Sequence, residues 1–167
     1  MSRLPLSFFN RPTLTVAQEL LGKEIIFNEH RAVITETEAY IGEEDPACHA
    51  ARGRTKRTEV MYGRAGFSYV YLIYGMYHCL NFVTEEYDFP AAVLIRSVRI
   101  NGIEDKKLNG PGKLCRFMGI TTEHNATDLI ASDFFYVNNT EDTPSFTTSP
   151  RIGISSGKEL LWRFLIS

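Results

Sequence analysis

Glu36, Glu38 and Tyr40 stand two residues apart along the run Glu36-Thr37-Glu38-Ala39-Tyr40. In an extended segment that spacing puts all three side chains on one face. Two carboxylates so close repel each other, and partial burial raises the pKa of at least one, which suits a general base. The ring beside them adds a stacking surface. A solvated strand face with ordinary glutamates is the plainer source of such a pattern, so the chemistry needs support from the rest of the chain.

A second group is aromatic. Phe67, Tyr69, Tyr71, Tyr74, Tyr77 and Phe82 crowd into two short β-prone segments, Phe67 to Tyr74 and Tyr77 to Thr84, and the tight Gly75-Met76 link predicts a hairpin. Alternation puts Tyr69 and Tyr71 on one face, with Val70 and Leu72 turned to the core. Tyr74, Gly75 and Met76 fall at the tip, where apolar residues have little core to enter. They suit a wedge that unstacks base pairs, and tyrosines make stacking platforms worth ~1–3 kcal/mol per base. For aromatic strands in general, a core hairpin with boundary tyrosines is the commoner arrangement.

Weaker signals lie elsewhere. Asn109-Gly110-Pro111-Gly112-Lys113-Leu114 places glycines and a lysine at a predicted helix N-terminus, as a phosphate cradle or as a simple cap. It is not a Walker loop, which ends in Lys-Ser or Lys-Thr. His49 follows Asp45-Pro46-Ala47-Cys48, and a lone histidine is usually structural. The zinc-deaminase pattern of His-x-Glu followed by Pro-Cys-x-x-Cys is missing.

The chain must position these groups with 167 residues, 44% of them apolar, in the range of one domain spanning residues 1–167. Three scattered cysteines, Cys48, Cys79 and Cys115, give neither a disulfide framework nor a zinc site. Met1 to Asn10 lacks the apolar core of a signal peptide, and no run approaches the ~20 apolar residues of a membrane span. Net charge is −2, yet five cations (Arg52, Arg54, Lys56, Arg57 and Arg64) face only Glu59 within one short stretch. The acids gather at Glu43, Glu44, Asp45 and at Glu85, Glu86, Asp88. A disordered basic loop is the ordinary explanation; a local phosphate-binding patch is the sharper one.

Local patterns predict a helix from Arg11 to Leu21, capped by Asn10 and closed by Gly22, and a second from Pro111 to Met118. Strands are predicted at Glu24 to Phe27, Ala32 to Tyr40 (with Ile34 on the face of Glu36, Glu38 and Tyr40), Ala91 to Ile100, Phe134 to Val137, Arg151 to Ile154 and Leu160 to Ile166. Asp142 to Pro150 is predicted as loop. The expected fold class is α+β: one mixed domain whose curved, largely antiparallel sheet is flanked by helices and extended by a protruding hairpin.

Taken in order, Glu36 to Tyr40, the stretch Tyr69-Val70-Tyr71-Leu72-Ile73-Tyr74-Gly75-Met76-Tyr77 ending in Asn81, and Gly110-Pro111-Gly112-Lys113-Leu114 closely resemble the alkyladenine (3-methyladenine) DNA glycosylase family. The likeness runs from Phe8-Phe9 to the C-terminal strand. It implies a monofunctional glycosylase of base excision repair, acting on double-stranded DNA with a damaged purine, as a monomer and with neither cofactor nor metal. Glu38 would activate the attacking water, and Arg96 and the backbone carbonyl near Ile152 would hold it. Tyr40, His49 and Tyr71 would sandwich the flipped base, and Asn81 would floor the pocket. Tyr74 and Met76 would form the DNA-inserting wedge. Arg52, Arg54, Lys56, Arg57 and Lys113 would contact phosphates. The expected location is the cytoplasm, in association with the nucleoid, in a bacterium, or the nucleus in a eukaryote. Two alternatives stay open: a bifunctional glycosylase/lyase using Lys113 as a Schiff-base nucleophile, or a non-catalytic nucleic-acid-binding module. The segments Glu85 to Asp88 and Asn138 to Ser149 match nothing in the family.

Overall fold

β-Branched and aromatic residues dominate the segments that become strands, and each strand finds an antiparallel partner. The computed structural model describes residues 2–141 and 143–167. Its strands are β1 (Glu24–Phe27), β2 (His30–Ile41), β3 (Ser68–Ile73), β4 (Tyr77–Val83), β5 (Ala91–Arg99), β6 (Phe135–Asn138), β7 (Phe146–Ser149) and β8 (Arg163–Ile166). They form one curved sheet in the order β3-β4-β5-β2-β1-β6, while β8 pairs with both β2 and β7. β2 is the long central strand. Its first half pairs with β1 and its second half with β8, while β5 runs along its other edge. The α-helices are α1 (Leu6–Phe9), α2 (Thr13–Glu19) and α3 (Pro111–Met118). The class is α+β, as expected. Met1 of the N-terminal segment and Asp142 of the expected 142–150 loop lie outside the described residues.

The main core fills the space between one sheet face and the helices. Val16, Ala17 and Leu20 of the α2 region meet Ala32, Ile34, Ala39, Val93 and Ile95, all fully buried. Each such aliphatic side chain removed from water contributes ~1.5–3 kcal/mol before entropy is counted. The other face carries a smaller cluster of Cys48, Met61, Tyr62, Tyr69, Val83 and Ala92, with Tyr40 and Tyr71 packed against it.

A kink in β2 decides which face Glu38 occupies. Ile34 pairs with Val98 and Thr37 with Ile95, and the register is irregular between them. Ile34 and Thr37, three residues apart, both turn toward α2: Ile34 is core, and the Thr37 hydroxyl donates to the Ala17 carbonyl at 2.8 Å. Val98 and Ile95 make the matching step on β5. A bulge changes the parity of a strand and re-aims the side chains beyond it. Ile34 therefore does not share the face of Glu36, Glu38 and Tyr40, contrary to strict alternation.

Other boundaries moved for local reasons. The helix expected from Arg11 begins at Thr13, with Pro12 as its N-cap, because Asn10 ends α1, a short helix the sequence pattern did not predict. Pro12 offers no side-chain cap; the carboxylate of Glu85, distant in sequence, accepts from the Thr13 N–H at 2.7 Å instead. Helix α3 has the expected limits, with Pro111 in its first turn and Gly119 closing it at φ 82° in the left-handed region that glycine favours. Arg151 to Ile154 is not a strand: Gly153 turns the backbone at φ 76°. Only Arg163–Ile166 of the expected last strand pairs, and Phe146–Ser149, expected as loop, is β7.

Candidate active site

Glu38 is completely buried, and three neighbours hold its carboxylate. The Tyr40 hydroxyl donates to Oε1 at 2.7 Å, and the Ile152 backbone N–H donates to Oε2 at 2.8 Å. Arg96 Nε lies 3.6 Å from Oε2. Burial pushes the carboxyl above the ordinary glutamate range; Arg96, the Ile152 N–H and Tyr40 oppose that rise, and Glu36 adds to it. A glutamate raised in this way is the usual form of a general base or acid near neutral pH.

Glu36 sits in a different environment two residues away. Its Oε2 accepts from Arg163 Nε at 2.5 Å and from Arg96 Nε at 3.3 Å, and its Oε1 accepts from the Ser97 hydroxyl at 3.0 Å. Arg96 thus stands between two carboxylates, hydrogen-bonded to Glu36 and facing Glu38. Two adjacent acids in contrasting surroundings are the arrangement from which separate acid and base roles can arise.

Tyr40, Arg96 and Ile152, the three residues that hold Glu38, all line a cavity of about 480 Å³. Its walls also include His49, Tyr69, Tyr71, Cys79, Asn81 and Leu94, with Tyr74 and Lys113 nearer the hairpin and α3. That volume suits a ligand of purine size in a mostly apolar pocket. His49 opens a short 3₁₀ turn, and its Nδ1 is 3.0 Å from the Tyr69 hydroxyl. Its ring meets that of Tyr71 at 4.5 Å between centroids and an interplanar angle of 64°. These two rings are in contact, so a base cannot enter between them, and Tyr40 lines the same cavity. Burial, followed by the nearby Arg57 charge, holds the His49 pKa below its usual value, which keeps the imidazole neutral. Asn81 is buried and its Nδ2 donates to the Tyr69 carbonyl at 3.2 Å.

The β3–β4 hairpin ends in the three-residue turn Tyr74-Gly75-Met76, with the Met76 N–H donating to the Ile73 carbonyl at 3.1 Å. Tyr74 has φ 55° and Gly75 φ 65°. A bulky residue in the left-handed region is an outlier, and such outliers concentrate at functional positions. Tyr74 is 83% exposed and Met76 63%. Next to the turn, Tyr77 packs on α3, where a Cβ on Gly112 would come within 2.9 Å of the Tyr77 ring. Leu72, expected in the core, is 41% exposed: beyond Val70 the hairpin leaves the body of the sheet, and no core covers that face.

The candidate phosphate contacts scatter. Arg52 and Lys56 are exposed. Arg54 pairs with Asp88 at 3.0 Å, and its guanidinium lies over the Tyr62 ring. Arg57 lies over the Tyr71 ring at 5.1 Å. Lys113 is exposed in the first turn of α3 and donates to Asn109 Oδ1 at 3.1 Å. Among the described residues no cluster of three or more His, Cys, Asp or Glu side chains is arranged to hold a metal ion.

Sequence reasoning missed Arg163, Asp45 and Arg151. Arg163 was hidden in a predicted terminal strand. Asp45 appeared only as one charge in an acidic run, yet it is buried and ion-paired to Arg151 at 2.7 Å. A buried aspartate four residues before His49 leaves no local signal.

The chain was also compared with known proteins. The family Methylpurine-DNA glycosylase matches residues 7–167. A Rickettsia felis protein named 3-methyladenine DNA glycosylase is 56% identical over 164 residues, covering 98% of this chain and 93% of the relative. A protein of the same name from Ehrlichia chaffeensis is 57% identical over 164 residues, covering 96% and 91%. Another, from Wolbachia pipientis of Culex pipiens, is 57% identical over 161 residues, covering 96% and 88%. The chain belongs to the methylpurine-DNA glycosylase family of DNA-repair enzymes.

Proposed function

We propose that this glycosylase excises alkylated purines, 3-methyladenine above all, from duplex DNA by a single hydrolytic step in which Glu38 activates water. The observation that carries the reading is the buried Glu38 carboxylate, held by Tyr40, Arg96 and Ile152, all three of which line an aromatic cavity. Water, oriented by Arg96 and the Ile152 backbone, gives its proton to Glu38 as its oxygen bonds to the deoxyribose C1′. The C1′–N bond breaks, and its electron pair leaves with the base. A positioned base of this kind contributes ~100- to 10,000-fold.

Selection begins before chemistry. Extruding a nucleotide costs a few kcal/mol, and least for a damaged or mismatched pair. In the cavity, the Tyr40 and Tyr71 faces favour a cationic alkylated purine over a neutral one by ~0.5–2 kcal/mol. His49, with Nδ1 engaged by the Tyr69 hydroxyl, offers its Nε2 to the base, and Asn81 disfavours the amino group of guanine. Tyr74 and Met76 fill the space the flipped nucleotide leaves. Hypoxanthine and ethenoadenine are the further substrates that such a pocket admits.

Lys113 favours the monofunctional reading. It is exposed and hydrogen-bonded to Asn109, whereas a Schiff-base lysine is usually desolvated to lower its pKa. The working unit is one chain on duplex DNA, associated with the nucleoid of a bacterial cell; that the Rickettsia and Ehrlichia relatives are bacterial proteins supports a bacterial setting. The test is release of free 3-methyladenine from dimethyl-sulfate-treated duplex, with borohydride added in parallel. Base release without a trapped protein–DNA adduct supports the proposal; a trapped adduct contradicts its monofunctional part, and no release with enzyme in excess contradicts the whole.

A further inference from the structure

Asp45 and Arg151 form an ion pair whose side chains are both fully buried. Arg151 Nη1 donates to Asp45 Oδ2 at 2.7 Å and to the Ala39 carbonyl at 2.9 Å, while Nη2 donates to Asp45 Oδ1 at 2.9 Å. The same carboxylate accepts from the backbone N–H of Ile41 at 2.9 Å and of Ala47 at 3.1 Å. The guanidinium lies over two rings, Tyr40 at 4.8 Å and Trp162 at 5.0 Å. Gly157 passes so close that a Cβ there would meet Arg151 Nη2 at 2.8 Å.

Stability alone is a poor reason for this arrangement. A buried ion pair often gains less than a well-packed apolar replacement, and Arg151 Nε is buried without a hydrogen-bond partner among the described residues. Location is the better reason. Arg151 precedes Ile152, whose N–H reaches Glu38; Ala39 and Tyr40 adjoin Glu38 on β2; Asp45 opens the loop that ends at His49. Three separate segments of the site therefore meet at one salt bridge.

We propose that the Asp45–Arg151 pair is a positioning pair for the reaction, clamping the Ile152 segment and the His49 loop to the strand that carries Glu38. The inference rests on Glu38 being the general base. Neither residue touches the base or the sugar; both act through Ile152, Tyr40 and His49. The groups facing Glu38 are Glu36 and Tyr40 on its own strand, Arg96 on β5, Cys79 on β4, and the Ile152 N–H, with Arg163 on β8 acting through Glu36. Of these, the clamp directly governs the Ile152 N–H and the Tyr40 ring, and both favour the ionised carboxylate.

The experiment is single-turnover release of 3-methyladenine from dimethyl-sulfate-treated duplex DNA as a function of pH, wild type beside Arg151→Lys. Lysine keeps the charge but can neither fork to both Asp45 oxygens nor stack flat on the rings. The rate should fall about tenfold or more, the size of one lost hydrogen bond to a charged group. The acid limb should also move up by about one pH unit, because the carboxylate has lost a donor. A rate within about twofold of wild type, or a loss matched by the unfolded fraction with the acid limb unmoved, overturns the proposal. Should Arg151→Lys not fold, Trp162→Leu keeps the ion pair and removes one stacking face; it should move the limb in the same direction by less, and an unmoved limb again overturns the proposal. Wild type that releases no base, or a Glu38→Gln variant that matches wild type, sinks the glycosylase mechanism itself. Only an active, Glu38-dependent enzyme indifferent to Arg151 refutes the clamp alone.

Discussion

Tyr40 donates its hydroxyl to Glu38 Oε1 at 2.7 Å, so a ring that lines the cavity also holds the buried carboxylate. Tyr40→Phe keeps the wall and removes the donor. The hydrogen bond favours ionised Glu38, so its loss raises the Glu38 pKa further. Base release needs the ionised form and falls as pH drops through that pKa, so the acid limb of the variant should lie at higher pH. A hydrogen bond to a charged group contributes ~1.5–3 kcal/mol, which sets the expected loss of rate below the limb at roughly tenfold to a hundredfold. The check is a single-turnover pH profile. An unshifted limb would remove Tyr40 from the proposed chemistry and leave it as a wall.

At the hairpin tip, Tyr74 adopts φ 55° while 83% exposed. For a residue with a Cβ, that conformation costs ~1–2 kcal/mol. Tyr74→Gly should therefore unfold at a higher temperature than wild type, by up to ~1 kcal/mol in stability once the greater entropy of unfolded glycine is subtracted. The same variant should bind damaged duplex more weakly while retaining the pocket chemistry. Thermal unfolding and duplex affinity measured together decide the matter. Unchanged affinity with lost chemistry would refute the wedge role, and lowered stability would refute the strain.

Much of the site was legible because its signals are local. Glu36, Glu38 and Tyr40 fall within five residues, and the helix from Pro111 to Met118 is bounded by its own proline and glycine. What escaped depends on distant partners or on a change of strand parity. Arg163 reaches Glu36 across 127 positions and Arg151 reaches Asp45 across 106, distances at which no periodicity survives. Alternation put Ile34 beside Glu38, and only the paired kink of β2 and β5 separates them. The segment from Arg151 to Ile154 is apolar enough to suggest a strand, yet Gly153 and the buried Arg151 make it an irregular strap over Glu38.

Glu85 illustrates a structural role for a segment that matched nothing in the resemblance. Its Oε2 accepts from the Thr13 N–H at 2.7 Å and from the Thr13 hydroxyl at 2.6 Å, capping α2 from the loop after β4. Glu85→Ala should lower stability by about 1 kcal/mol, as loss of a helix cap does, and so shift the unfolding temperature by roughly 2–4 °C for a chain of this size. Base release per folded molecule should be unchanged. Loss of activity beyond the loss of folded protein would tie this loop to the site.

Glu38 carries the central claim. Its pKa is raised in the folded state, so the stability linked to it is present below the unfolded pKa and lost as pH rises through the folded one. Above the folded pKa the ionised carboxylate therefore opposes folding, and there Glu38→Gln should unfold at or above the wild-type temperature while losing function. The most direct measurement is single-turnover release of 3-methyladenine from dimethyl-sulfate-treated duplex DNA by wild type and by folded Glu38→Gln. The expected result is release by wild type and a loss of ~100- to 10,000-fold in the variant. Release by Glu38→Gln at the wild-type rate would contradict the assignment of Glu38 as the base that activates water.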